Sequence, residues 1–400
     1  MGNFKSQLKK EFKNKRIEGY SEDKQKEMRI ASIDEIIKDV EDKKNRYIFY
    51  CPDIALVNPL LKIVYEVAME AKKAGYNVVI LHEMAGFKAK WLFESTDYAE
   101  YRKLPVEYII NKASGKSKKQ KNTYTFKVSD TLIVTDAYQD MLENILSEES
   151  LKLVQKVVLV TGYMGLASLN PSMTYEKLNV GSLIFFDSNI KDDYSKLFPT
   201  KNYLADNYPI SRGFNRNVVK SKTVYPVIGI TSIGNNDKAQ QLINVFYNRY
   251  PNLNVFTFKT LARDTMDMFI DNVATCAAVV VLDKNIVTKQ MVYEILNMGI
   301  PSIIPKRREF LDSKLIVENF VVEDDIFEIA DQIAKFCQYW LSTSTTNITN
   351  DMIKLADELD LNKRTLEDFG DTIRSIFGEL QGNREQMFGK MREIAGEVKA

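Results

Sequence analysis

RYIFYCPDIALVNPLLKIVYEVAMEAKKAGYNVVIL, Arg46 to Leu81, is the stretch that decides the fold. Its first six residues, RYIFYC, form a short apolar run of the kind a buried parallel strand requires. A turn follows over Pro52–Asn58, and Pro59 is suited to the first turn of a helix, where its missing N–H is not needed. Leu60, Leu61, Val64, Val67, Ala68 and Ala71 then recur on one face of a helix running to about Ala74. Gly75 stops it, as a residue that takes a left-handed conformation at little cost. Asn77–Leu81 (NVVIL) is the second buried strand. The unit is β-α-β, and its two strands are expected to be parallel with a right-handed crossover.

Outward from this unit the same alternation continues. Upstream, residues 1–45 are highly charged, with Met28, Ile30, Ile33, Ile36, Ile37 and Val40 at helical spacing, and read as one or two amphipathic helices. Downstream, strands are expected at Val106–Ile110, Thr131–Thr135, Lys156–Val160 and Ser182–Phe186. The Lys-rich stretch Lys112–Asn122 reads as a solvated surface loop or a cationic flap for an anionic ligand. Tyr203–Ser221 has the composition of a crossing between domains. A second series follows: strand Val224–Thr231, helix Asp237–Arg249, strand Asn254–Phe258, helix Ala262–Val273, strand Ala277–Leu282, helix Lys289–Met298 and strand Pro301–Ile304. Asp324–Leu341 is a further helix, Ser342–Thr349 (STSTTNIT) a polar break, and the remainder two or three charged helices. The chain is thus α/β, with two Rossmann-like doubly wound domains at 46–205 and 206–342, and helical extensions at 1–45 and 343–400. Such sheets bind ligands at the carboxyl ends of their strands, and two domains facing each other share one cleft.

Composition narrows the function classes. The 400 residues are 45% hydrophobic and 27% charged, enough for two cores. Lys+Arg (55) nearly balances Asp+Glu (54), so no global charge points to nucleic acid or a membrane surface. No stretch approaches the roughly 18 apolar residues of a membrane span, and the basic start lacks a secretory apolar run; the expected compartment is cytoplasmic. Cys51, Cys276 and Cys337 are far apart and read as reduced core residues. With one histidine, a His/Cys metal cluster is not expected. Walker A and Gly-x-Ser-x-Gly motifs are absent from the sequence.

The residues 46–82 resemble the opening unit of GT-B glycosyltransferases, and 225–305 resemble their nucleotide-binding second domain. The nearest local likeness is Glu294-Ile-Leu-Asn-Met-Gly299-Ile-Pro301-Ser-Ile-Ile304. In the retaining, glycogen-synthase-like (group 1) members, a Glu on this helix precedes a small-residue turn, a Gly, an aliphatic residue, Pro and a buried strand. The resemblance implies that Glu294 accepts hydrogen bonds from the ribose diol of a nucleotide. It also implies a UDP- or GDP-sugar as donor, an acceptor whose identity stays open, and no required cofactor or metal. The family's usual Glu eight positions earlier is Ile286 here, and no Arg stands after the first strand of the second domain.

Around that resemblance several residues are candidates. Gly234 permits close backbone approach, and the helix that follows would aim its amino end at a diphosphate. Lys238 and Lys259 could neutralise it, and Thr288 and Arg212 could line the same site. Each has a plainer reading, as turn, cap or linker residues. An inverting enzyme would need a strand-end carboxylate of the first domain, such as Asp136, as general base on an acceptor hydroxyl. The resemblance makes His82 a candidate because some GT-B enzymes carry a histidine in the first-domain cleft, though usually after a later strand. The plainer readings are a buried strand-end histidine and, for Asp53, Asp130, Asp136 and Asp187 alike, a helix-capping Asp. Three functions remain open: a nucleotide-sugar glycosyltransferase, a non-catalytic GT-B-like scaffold, and a UDP-sugar epimerase. The terminal helices suit a homo-oligomer or protein partner, and their apolar stripes equally suit packing on the chain's own domains.

Overall fold

The computed structural model describes residues 45–51, 59–82, 96–108, 126–136, 154–160, 180–195, 201–210, 214, 223–232, 235–261, 266–282, 289–306, 321–361 and 364–399, and Lys38 besides. Apart from Lys38 and Asn45, the N-terminal extension lies outside these residues, as does the Lys-rich stretch 112–122.

The opening unit is β1 (Tyr47–Cys51), α1 (Pro59–Lys73) and β2 (Val78–His82). Strands β1 and β2 are parallel, with Phe49 opposite Ile80. Gly75 ends the helix with φ 91°, a conformation open to glycine. The first sheet is completed by β3 (Val106–Tyr108), β4 (Thr131–Thr135), β5 (Gln155–Val160), β6 (Val180–Phe185) and β7 (Lys201–Leu204), in the order β3-β2-β1-β4-β5-β6-β7. Every pairing is parallel. A single short helix, α2 (Ser188–Tyr194), lies between β6 and β7; Asp187 caps it by accepting from the Asn189 and Ile190 amides, the plainer of its two readings.

The second sheet has the order β12-β11-β10-β8-β9, again all parallel. Its strands are β8 (Val227–Thr231), β9 (Thr257–Thr260), β10 (Ala278–Val281), β11 (Ser302–Pro305) and β12 (Val321–Val322). One face is covered by α3 (Asn236–Arg249) and α6 (Ile326–Ser342), through Leu242, Phe246, Ile329 and Ile333. The other is covered by α4 (Met266–Ala274) and α5 (Lys289–Asn297), through Phe269, Val273, Val292 and Ile295. Buried Val and Ile in short unbroken runs make both sheets two-faced, as parallel sheets are.

Three boundaries differ from the sequence reading. The polar break is only a junction: α6 ends at Ser342 and α7 (Thr345–Glu358) starts after Ser344, whose hydroxyl caps it by accepting from the Asn347 amide. Ser and Thr here terminate one helix and begin another. The strand expected at Asn254–Phe258 is displaced to Thr257–Thr260, after a short 3-10 turn at Pro251–Leu253. Residues 201–204 form an edge strand where an interdomain crossing was expected to begin.

The C-terminal helix α8 (Leu366–Lys399) returns to the first domain. Phe377 lies between the sheet and α8, with ring centroids 5.1 Å from Tyr47, 5.5 Å from Tyr76 and 6.2 Å from Phe49. Farther along, the buried Arg384 donates to the Ser129 carbonyl and lies over the Tyr47 ring. The apolar stripe of this helix is therefore spent inside the chain: Phe369, Ile373, Phe377 and Leu380 are all buried. One apolar cluster joins α1, α8 and the α4–α5 face of the second domain. Among the described residues no helix is long and apolar enough to cross a membrane. Phe377→Ala should lower unfolding free energy by about 3–5 kcal/mol, as for other fully buried Phe truncations, measured by urea titration.

Candidate functional site

Each sheet reverses strand order at one point, and open parallel sheets bind ligands at such points. In the first domain the reversal lies between β1 and β4. Asp136 follows β4 there, buried, with its amide donating to the Leu159 carbonyl. In the second domain it lies between β8 and β10. Asn235, at the start of α3, spans it by donating from Nδ2 to the Leu282 carbonyl at 3.0 Å. That bond uses the side chain that would otherwise cap the helix, so α3 begins with no side-chain cap. Ser232 is buried beside it and donates to Asn236 Oδ1, while the buried Thr231 hydroxyl meets no partner among the described residues.

Glu294 lies on α5, the helix that follows β10, and is buried. It reaches this position because Gly299, at φ 83°, turns the chain back into β11 within a few residues. A side chain at 299 would also meet the Thr349 methyl of α7 at 2.7 Å. Glu294 faces the first domain and forms a salt bridge with Lys62 in the first turn of α1, 232 positions away. Both side chains are almost fully removed from water.

Two more groups complete the cluster. Glu66, one turn beyond Lys62 on α1, is buried, as is Tyr208, which follows β7. The Lys62 ammonium lies 5.4 Å from the centroid of the Tyr208 ring. Burial pushes the Glu66 carboxyl up to about 7; Lys62 opposes this, Tyr208 and Tyr101 partly so, and Glu294 reinforces it. Glu66 Oε2 meets no donor with hydrogen-bond geometry among the described residues. Burial, then the Glu66 charge, raises the Tyr208 phenol well above its usual range, so it stays protonated. The neighbouring Asn297 donates to the Phe214 carbonyl at 2.9 Å, tying α5 to the segment that links the domains.

The other sequence candidates fall elsewhere. Lys238 pairs with Asp324 at 2.5 Å, and Lys259, on the edge strand β9, donates to Asn272 at 2.7 Å. His82 ends β2 fully buried. Its Nδ1 is 3.0 Å from the Cys51 carbonyl, which can only accept, so Nδ1 carries the proton and Nε2 accepts from the Tyr65 hydroxyl at 2.8 Å. Burial lowers its pKa to about 4, so the ring is neutral and its lone pair engaged. Gly234, Arg212 and Thr288 lie outside the described residues, as do Asp53 and Ile286. Asp130 sits at the amino end of β4 and pairs with Arg46 at 2.7 Å, remote from the cleft end of the sheet. The thiols of Cys276 and Cys337 are pushed up to about 12 by burial and stay protonated. Lys62, Glu66 and Tyr208 escaped the sequence reading. The only signal was a charged stripe at i, i+4 and i+8, Lys62, Glu66 and Glu70, on a helix whose other face is apolar.

Across solved structures, two-domain chains with this arrangement recur. The S. aureus TarM mutant in complex with fondaparinux, alpha-GlcNAc-glycerol and UDP matches 83% of this chain and 99% of its own, with TM-score 0.51 and 8% identity. The pneumococcal O-GlcNAc transferase GtfA in complex with UDP and GlcNAc matches 83% of this chain and 99% of its own, with TM-score 0.50 and 9% identity. The chain has the GT-B fold. No family model matches it, and no curated protein is matched by sequence. In this chain Glu294 stands on the helix after β10, the third strand of the second sheet, at the contact with the first domain. The Lys62–Glu294 ion pair joins that helix to α1.

A buried pair is sensitive to losing one member, because the other is left charged without compensation. Lys62→Met alone, or Glu294→Gln alone, should cost about 3–5 kcal/mol. The double variant should recover much of that loss in a urea-unfolding double-mutant cycle. Glu66 predicts a pH effect. Its folded pKa is raised, so its favourable contribution is complete below the unfolded value and is lost as pH rises toward 7. Glu66→Gln should therefore raise the melting temperature relative to the parent at pH 8 and leave it nearly unchanged at pH 4.

Proposed function

We propose that this chain is a glycosyltransferase that moves a sugar from a nucleoside diphosphate sugar to an acceptor. Glu294 holds the ribose diol. The observation that carries the reading is the position of Glu294: buried, at the domain interface, on the helix after β10, and followed by the Gly299-Ile-Pro301 turn. A carboxylate can accept both hydrogens of a vicinal diol, and a neutral amide cannot do so equally well.

The remaining roles follow from the sheet. The uncapped amino end of α3, beside Ser232 and the unpartnered Thr231 hydroxyl, suits a diphosphate, since backbone N–H groups and the helix dipole favour an anion there. Stabilising the leaving diphosphate by fixed dipoles is the main catalytic task in such a transfer. Lys238 and Lys259 have partners elsewhere, so this reading rests the anion on backbone groups more than on those amines. In the first domain, Asp136 at the β1/β4 reversal is the carboxylate best placed to take a proton from an acceptor hydroxyl. His82 is the weaker candidate, with Nε2 engaged by Tyr65. GtfA and TarM were both captured with UDP, which makes uridine nucleotides the first to try.

A second reading has its own support. Glu294 is held by Lys62, and Ile286 stands where a donor-sugar carboxylate is usual. A non-catalytic GT-B protein, kept for its surfaces, would retain this closed interface as a structural joint.

The two are separated by turnover. The purified chain should slowly release UDP or GDP from one member of a nucleotide-sugar panel. Glu294→Gln should raise KM for that donor by roughly 10–100-fold, the equivalent of losing a charged hydrogen bond of about 1.5–3 kcal/mol. No turnover and no ligand-induced rise in melting temperature across the panel would favour the structural joint.

A further inference from the structure

Lys62 has two carboxylates within reach, and only one belongs to the other domain. Glu294 lies across the interface on α5. Glu66 lies on α1 itself at the i+4 position, where helical side chains meet. The Lys62 charge is the strongest influence opposing the effect of burial on Glu66. Glu66 Oε2 still meets no donor among the described residues, although it is buried. A carboxylate oxygen buried without a donor is a destination for a cation one turn away.

We propose that Lys62 is an internal competitor for the donor's ribose: it holds Glu294 in the empty protein and moves to Glu66 when a nucleotide arrives. This rests on the reading of Glu294 as the ribose carboxylate. In the first position the ammonium bridges the domains and covers Glu294. In the second it stays on its own helix, and the diol supplies the hydrogen bonds that Glu294 loses. In the first position Glu294 has the ammonium and Glu66 is held partly protonated; in the second Glu66 has the ammonium and Glu294 has the diol, so each position compensates one carboxylate by charge. The nucleotide selects between them only through its better fit to the second.

Protons are linked to the same movement. The groups facing Glu66 are Lys62 on its own helix, Tyr101 in the 3-10 segment Thr96–Lys103, Tyr208 after β7 and Glu294 on α5. Near pH 7 part of the Glu66 population carries a proton, and arrival of the Lys62 ammonium expels it. Nucleotide binding therefore releases a fraction of a proton near neutrality.

The test is calorimetric titration of the full chain with UDP at pH 7, in two buffers of different ionisation enthalpy. The parent should release protons on binding, and Glu66→Gln should not. Lys62→Met, with no competing cation, should bind UDP at least tenfold more tightly than the parent. Lys62→Arg, which keeps the bridge, should bind at least tenfold more weakly than Lys62→Met. Should Lys62→Met fail to fold, the proton release and the Lys62→Arg comparison with the parent still decide, since Arg must not strengthen binding. If the parent binds UDP, Glu294→Gln abolishes binding, and Lys62→Met weakens it, Lys62 is a donor ligand; the competitor is overturned and the glycosyltransferase reading stands. If neither the parent nor a folded Lys62→Met takes up UDP, both fall together.

Discussion

Between the first turn of α1 and the middle of α5, one ammonium and two carboxylates are withdrawn from water together. Each would be expensive to bury by itself, by several kcal/mol per ion even after relaxation. Lys62 can fully compensate only one of the carboxylates, so the other must hold a proton over part of the pH range. Glu66 is the one displaced, with its carboxyl raised to about 7, while Glu294 takes the salt bridge. That division of labour joins residue 62 to residue 294 and makes the two domains one packed body. The apolar cluster around it, from α1 through α8 to the α4–α5 layer, excludes the water that would otherwise screen the pair.

The long helix α8 has a related task. It leaves the second domain after α7 and packs across α1 and β1 through Phe369, Ile373 and Phe377, with Arg384 on the Ser129 carbonyl at its far end. Asn207 donates to Thr372 and Lys201 pairs with Glu379, so the helix also holds the edge of the first sheet. The α1–α5 contact and the α8 contact thus tie the first domain at two separate places.

Much of the architecture was legible because buried parallel strands are short unbroken apolar runs. Thr131–Thr135 was placed to the residue, and α1 and α5 to within one residue of the observed ends. Strand β7, KNYL, was not legible, since an edge strand with Lys201 facing solvent has no apolar run to announce it. The polar STSTTNIT stretch misled for the opposite reason: one Ser in it caps a helix and the residues after it are inside that helix. At the site, Glu294 could be singled out by the Gly-Ile-Pro turn that follows it. Lys62 and Glu66 could not, because what makes them unusual is burial beside a residue 232 positions away, and spacing within α1 carries no trace of that partner. His82 shows the same gap in reverse. A lone strand-end histidine invites a catalytic role, yet its two ring nitrogens are engaged by Cys51 and Tyr65.

Fold and chemistry separate at this interface. The GT-B arrangement provides two strand reversals facing one cleft, and nothing in that arrangement obliges a reaction. What would oblige it is a nucleotide able to take Glu294 from Lys62. A crystal structure of the chain soaked in UDP reads this directly. The account predicts ribose hydroxyls within hydrogen-bond distance of Glu294 and the Lys62 amine turned onto Glu66. UDP bound elsewhere, with Lys62 and Glu294 still paired, would contradict it.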